Sequence, residues 1–310
     1  AFEYTSDGSA VTITKYIGEY TEVVIPSTID GLPVTSIGNS AFYYCNRLTS
    51  VVIGDSVTSI GEYAFCDCEN LTNVVIGDNI TSISFRAFDV CSRLKNVYIT
   101  DLEAWCNISG VSNLMNYGAS SKNLYLNNKL ITELVIPDTV TDIKGYAFYN
   151  CDSLTSVVIG DSVTSIGSSA FRYCSSLTEI TLPFIGGNKA STGYEAVFGY
   201  IFGYTTSSNS SISGATCQFN RGSTYYHYYI PTSLKKVTIT GGAIAQEAFH
   251  NCNGLTSVVI GDSVTSIGSM AFYNCDGLTS VVIPDSVTSI GELAFSYCLN
   301  LSNIIVSSEN

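Results

Sequence analysis

The sequence predicts a solenoid, a stack of short coils that individually cannot bury their apolar side but together form one continuous core. Three observations carry this. The dipeptide Ala-Phe recurs eight times, beginning at Ala41, Ala64, Ala87, Ala147, Ala170, Ala248, Ala271 and Ala294, in steps of 23 residues broken by two gaps of 60 and 78. Three residues after each Phe stands a cysteine (Cys45, Cys68, Cys91, Cys151, Cys174, Cys252, Cys275, Cys298), and three further on a leucine, Leu48 to Leu301. The 310 residues, 45% apolar and only 13% charged, are too many for one ordinary core and too apolar for a disordered chain.

One repeat, LTSVVIGDSVTSIGEYAFCDCEN from Leu48, shows how a coil is expected to close. Leu48, Val51 and Ile53 mark the inward side of a short strand, with Val52 pointing out. Gly54-Asp55-Ser56 turns the chain, Val57 and Ile60 return inside, and Gly61 releases a second bend. Ala64, Phe65 and Cys68 then close the coil through a short helical or 3-10 turn, with Phe filling the centre.

The pattern L-x-x-V-x-I-[GP]-D-S-V-T-S-I-G-x-x-A-F-x-x-C resembles the BspA-like, Treponema pallidum-type leucine-rich repeats of bacterial surface proteins, over almost the whole chain. It departs from the commoner leucine-rich pattern, which has an Asn after the strand; Ser56, Asn79, Thr139, Ser162, Ser263 and Ser286 stand there instead. The resemblance implies a leucine-rich-repeat solenoid: a curved right-handed coil stack with a parallel β-sheet and short helical or 3-10 turns on the other side. It also implies an extracellular or cell-surface setting and roles in adhesion and in host or matrix binding.

Residues 1–19 read as an N-terminal β-hairpin cap, with Phe2 to Thr5 and Ala10 to Thr14 alternating about Asp7-Gly8, ahead of an array over residues 20–310. Ile29 to Pro33 forms a small loop in the first repeat. An insert at about 100–130 lacks Ala-Phe-x-x-Cys; it offers a capped helical turn from Asp101 whose Trp105 replaces the missing Phe, then a hairpin of Leu124 to Leu126, Asn127-Asn128 and Leu130 onward. A second insert at 184–231 is rich in Gly, Ser and Tyr. No cap follows the strand Ile304-Ile305-Val306, so the natural chain is expected to continue or its end to be covered by a partner. The start, Ala1-Phe2-Glu3-Tyr4, carries no basic–apolar leader; one was absent or removed.

Recognition is expected from what faces outward. Val24, Val52, Val75, Val135, Val158, Val259, Val282 and Ile305 form an apolar stripe interrupted by Tyr98, Thr181 and Thr238, and such stripes mark interaction surfaces, although strand propensity alone produces them too. Tyr225, Tyr226, Tyr228 and Tyr229, with His227 among them, would form an aromatic platform. The leading reading is a non-enzymatic binding or adhesion scaffold for a protein on a host or neighbouring cell; the alternatives are a carbohydrate or mucin binder using that platform, or a structural spacer for a further domain.

Other classes are disfavoured. A net charge of −13 repels nucleic acid and anionic membranes, and no run of 18 apolar residues exists to span one. Neither cofactor nor metal is expected. Equivalent cysteines on stacked coils have Cβ atoms about 4.8 Å apart, beyond the usual disulfide separation, so they are read as buried free thiols; Cys66, Cys106 and Cys217 fall outside the row and are candidates for exposure. Asp55, Asp78, Asp138, Asp161, Asp262 and Asp285 suggest calcium or, more simply, carboxylates that each cap their own turn. Thr58, Thr81, Thr141, Thr164, Thr265 and Thr288 suggest a flat ice-binding face or ordinary strand preference. His227 and His250 are the only histidines; His250 follows Ala-Phe at a surface position, no partnered triad, phosphate loop or zinc-protease motif occurs, and no catalytic residue is assigned.

Overall fold

A computed structural model describes residues 1–206, 216–221 and 224–307. The chain forms two compact units, one of Ala1–Ile131 with Tyr146–Cys151, the other of Thr132–Gly145 with Asp152–Asn310. Each is a stack of coils whose equivalent strands pair in parallel.

In the first unit the strands Glu22–Val24, Ser50–Ile53, Asn73–Ile76, Asn96–Ile99 and Asn123–Leu126 lie side by side in that order, with Val23, Val51, Val74, Val97 and Leu124 directly opposite one another. Their inward side chains are buried and the residues between them face out, the period-2 alternation of a one-sided sheet. The return path forms a second sheet, in which the hairpin Phe2–Ser6 and Val11–Tyr16 pairs with Leu32–Ile37, followed by Ser59–Ile60 and Ser82–Ile83. That hairpin also supplies the first aromatic rung: Tyr16 stacks on Phe42 at 5.1 Å, Phe42 on Phe65 at 4.7 Å and Phe65 on Phe88 at 5.0 Å. The loop of the first repeat is a tight antiparallel turn joining Thr28–Ile29 to Leu32–Ile37.

In the second unit the parallel order is Glu133–Val135, Ser156–Val158, Glu179–Leu182, Lys236–Ile244, Ser257–Ile267, Ser280–Ile283 and Asn303–Val306. Phe198, Phe249, Phe272 and Phe295 stack at 4.9 to 5.1 Å.

The turn side differs from the expected helical or 3-10 turns. The Ala-Phe-x-x-Cys segments are consecutive turns, and the helices among the described residues lie only in the two inserts. The residue before each Ala and the residue before each Cys have positive φ, as at Ser40 (58°), Tyr44 (60°), Tyr63 (55°) and Asp67 (60°). A left-handed residue every fourth position breaks a helix and costs about 1–2 kcal/mol each outside glycine. The cost is offset between coils: the N–H groups of Ser40, Phe42 and Tyr44 donate to the carbonyls of Glu62, Ala64 and Cys66, while those of Ala41, Tyr43 and Cys45 donate three residues back. Gly61 serves close approach rather than a bend, since a Cβ there would lie 2.7 Å from the backbone of Gly38 and Asn39.

Both inserts rebuild the rungs they interrupt. In the first, Asp101 caps the helix Leu102–Asn107 by accepting the Ala104 N–H at 2.9 Å. Trp105 is buried as predicted, and its indole Nε1 donates to the Ala147 carbonyl at 3.0 Å, a bond that the Phe backbone N–H makes in regular coils. The segment from Leu124 is more than a hairpin: Asn123 pairs in register with Asn96, 27 residues earlier, so a full coil stands here, and only Lys129–Leu130 folds back. Lys122 is wholly buried beside it. Its ammonium donates to the carbonyls of Leu94 at 2.6 Å, Ala119 at 3.4 Å and Tyr117. Gly118 leaves room for this group, because a Cβ would lie 2.7 Å from the Lys122 Nζ. In the second insert, the 3-10 segment Phe198–Phe202 replaces the missing Ala-Phe, with the Phe198 N–H donating to the Ala248 carbonyl at 2.8 Å. Buried Gln218 bridges onward, accepting the Gly199 N–H at 2.5 Å and donating to the Cys252 sulfur at 2.7 Å.

Two outcomes follow for stability. Phe65→Ala empties a rung flanked on both sides and should cost about 3–5 kcal/mol in urea unfolding. Lys122→Met leaves three carbonyls without their donor and should cost about 2 kcal/mol. Burial lowers the Lys122 amine from 10.5 to about 8, so between those values the unfolded chain binds more protons. Wild-type stability should therefore rise relative to Lys122→Met as pH climbs through that window.

Candidate functional site

The outward strand positions form one row in each unit. In the first, Val24, Val52, Val75, Tyr98 and Tyr125 stand directly opposite one another on successive strands. Val24 is 68% exposed, and Val52, Val75 and Tyr98 are half-buried by their neighbours. Tyr125, placed by the sequence in a hairpin, joins the row and stacks on Tyr98 at 4.6 Å and 13°. Burial, and the second phenol beside it, raise the Tyr98 pKa. The signal for Tyr125 was present: Asn96-Val97-Tyr98-Ile99 recurs as Asn123-Leu124-Tyr125-Leu126. Alongside runs an amide ladder, Asn123 Nδ2 donating to Asn96 Oδ1 at 2.9 Å and Asn96 Nδ2 to Asn73 Oδ1 at 2.8 Å.

In the second unit the row reads Val135, Val158, Thr181, Thr238, Val259, Val282 and Ile305. Its apolar members are 40–63% exposed. The two threonines divide it, and beside them Lys236 pairs with Glu179 at 3.4 Å, an exposed pair worth about 0–1 kcal/mol.

The tyrosine platform is not a single surface. Tyr204–Thr205, Thr216–Arg221 and Thr224–Tyr228 form a small antiparallel sheet, so alternate side chains point opposite ways. Tyr225 is exposed, but Tyr228 and His227 are buried, which removes Tyr228 from the contact residues expected of it. Its hydroxyl donates to the Tyr194 carbonyl at 2.8 Å. Tyr226 stacks on Tyr194 at 4.9 Å, with Tyr204 edge-on to both. A hydrogen bond to Glu195 pushes the Tyr194 phenol up to about 12. Tyr229 turns instead towards Arg172. His250, expected on the surface, is half-buried with Nδ1 3.2 Å from the Gln218 carbonyl.

The periodic polar residues are occupied between coils. Asp55 accepts the N–H of Asp78 at 2.9 Å and Asp78 accepts the Thr100 hydroxyl at 2.6 Å, so these two carboxylates bind the next coil rather than cap their own turn, while Asp161 accepts the Thr240 hydroxyl at 3.0 Å from beyond the neighbouring strand Glu179–Leu182. Among the described residues no cluster of three His, Cys, Asp or Glu side chains could hold a metal. The Thr58 and Thr81 hydroxyls donate to the carbonyls of Thr35 and Thr58, which uses the row expected of an ice-binding face.

The cysteines act as donors. Cys68, Cys91, Cys275 and Cys298 each point a thiol at the Phe carbonyl of the preceding coil, at 2.9 to 3.1 Å. Cys66 and Cys106, candidates for exposure in the sequence, are buried, and burial pushes their thiols up to about 11 and 12. The side chain of Cys217 lies outside the described residues. A cleft of about 330 Å³ in the second unit is lined by Ser191, Thr192, Gly193, Ala196, Ala245 and Gln246, none of which titrates near neutrality.

Residues 15–112, 119–240 and 222–310 match the profile described as BspA type Leucine rich repeat region, in six copies. No curated protein matches the chain. Among solved structures it is similar to the T. pallidum leucine rich repeat protein TpLRR, at 22% identity over 97% of this chain and 87% of that one with a TM-score of 0.25. It is also similar to a leucine-rich repeat protein from Bacteroides ovatus, at 22% identity over 98% and 92% with a TM-score of 0.41. A leucine rich cell surface protein from Faecalibacterium prausnitzii is 24% identical over 100% and 96%, with a TM-score of 0.35. Among the described residues no helix is long and apolar enough to cross a membrane.

For the thiols, a maleimide applied to the native protein should leave Cys66 and Cys106 unmodified by peptide mapping and label both after urea unfolding. Rapid native labelling of either would contradict their burial.

Proposed function

Because the chain belongs to the BspA type leucine-rich-repeat family, we propose that it is a non-catalytic binding scaffold of the cell surface or extracellular space, and that its outward strand rows receive a protein partner. The observation that carries this reading is the register of exposed branched side chains, Val135–Val158 and Val259–Val282–Ile305 on successive rungs of the second unit. Burying one such side chain fully is worth about 1.5–3 kcal/mol, so the row supplies part of a partner's binding energy and a wider contact around it supplies the rest.

A protein fits these rows better than a sugar. Valine and isoleucine offer no hydrogen bond and no ring face. Tyr98 and Tyr125 stack on each other, so each has one ring face already covered. The net charge of −13 favours partners with a neutral or basic rim.

The test is capture of surface proteins from host or neighbouring cells by the immobilised wild type, mass-spectrometric identification of the partner, and affinity measurement on it. Val158→Glu/Val259→Glu should weaken binding by at least about tenfold, with thermal stability unchanged, while Ser175→Glu on the turn side leaves it intact. Equal binding by the double variant would remove the strand row from the interface.

A further inference from the structure

We propose that Arg172, Tyr173 and Tyr229 form a second recognition site, on the turn side of the second unit, for the carboxylate of an acidic sugar. Arg172 and Tyr173 follow Ala170-Phe171 in a regular coil. Tyr229 arrives from the far end of the insert, where its N–H is fixed to the Gly203 carbonyl at 3.0 Å. Two chain segments therefore converge on one guanidinium.

The guanidinium carbon lies 3.9 Å from the Tyr229 ring centre and 4.7 Å from that of Tyr173, and the two rings are 5.5 Å apart at 63°. These distances describe a triangle. Arg172 sits in the corner between two edge-to-face rings rather than in a sandwich, and the residue is half-buried. One Nη group donates to the Tyr173 hydroxyl at 2.9 Å, which fixes the rotation of the guanidinium. The Nε is buried with no hydrogen-bond partner, so a ligand would meet the Nη groups.

The charge that counts here is local, since the net charge of −13 disfavours anions at long range, where salt screens it. The chain carries 26 acidic residues against 13 Lys and Arg, yet the ion pairs among the described residues involve Arg47, Arg86 and Lys236, and none involves Arg172. An arginine held rigid by aromatic rings has lost its side-chain entropy in advance, and two parallel N–H groups match a carboxylate bidentately. The flanking rings select the rest of the ligand. A pyranose acid carries its carboxylate and an apolar C–H face on one rigid ring, so it can meet guanidinium and tyrosine together. A flexible peptide carboxylate has no such face. Terminal sialic acid and uronic acid share this chemistry.

The experiment uses the full chain and calorimetric or saturation-transfer titration with sialyllactose, methyl glucuronide, lactose, methyl glucoside, acetate and a short peptide with a free C-terminus. At least one acidic sugar should bind about tenfold or more tightly than its neutral counterpart and than acetate or peptide, and the arm that binds identifies the source. Arg172→Gln should abolish this preference. Arg172→Lys, which keeps charge and stem, and Tyr229→Leu should each weaken it, with circular dichroism unchanged; if Arg172→Gln misfolds, these two decide. Val158→Glu/Val259→Glu should bind the sugar like the wild type, which separates this site from the strand row. Equal binding of acidic and neutral sugars, full binding by folded Arg172→Gln, or acetate or peptide binding as tightly as the sugars would overturn the proposal.

Discussion

Each coil leaves backbone N–H and C=O groups along both rims, and the polar groups buried there stay satisfied only if the next coil arrives in register. That inter-coil hydrogen bonding is the constraint from which the other features follow. The Phe42 carbonyl shows how complete it is: it accepts the Cys45 N–H from its own coil at 3.2 Å and the Cys68 thiol from the next at 3.1 Å, filling both lone pairs. The left-handed residues before Ala and Cys aim N–H groups at the neighbour, and glycines such as Gly61 let the backbones approach. A thiol suits the rung because it is small, apolar enough for the core and still a donor.

The inserts obey the same rule with different atoms. Where Ala-Phe-x-x-Cys is missing, another group must present a donor at the same height. Trp105 offers an indole N–H to Ala147, Lys122 an ammonium to three carbonyls, Phe198 its backbone N–H to Ala248, and Gln218 an amide to Cys252. Lys122 is the costly solution, since it places a charge in the core, and the shift of its amine down to about 8 reflects that burial. These four residues keep each stack continuous while the rest of the insert varies.

The same economy shapes the surface. Periodic Asp, Thr and Cys side chains, which would suggest metal, ice or redox chemistry, are occupied in joining coils. The outward strand rows, and the side chains that the second insert lays against the turn side, are the groups proposed for recognition, and the stacking does not use them.

The sequence by itself determined the rungs, the strand alternation, the N-terminal hairpin and the role of Trp105, because a 23-residue period and a two-residue period are local patterns readable from spacing. Even Tyr125 was legible in the repeated Asn-x-Tyr, although hidden by an irregular step of 27. The tertiary structure alone decided that the turn side is not helical, that Cys66, Cys106 and Tyr228 are interior, that Asp55 bonds to the next coil, and that Arg172 meets Tyr229. The reason is physical. Each of these depends on which donor lies against which acceptor one coil away, or after a long insert has folded back, and no property of the residue or its sequence neighbours encodes that meeting.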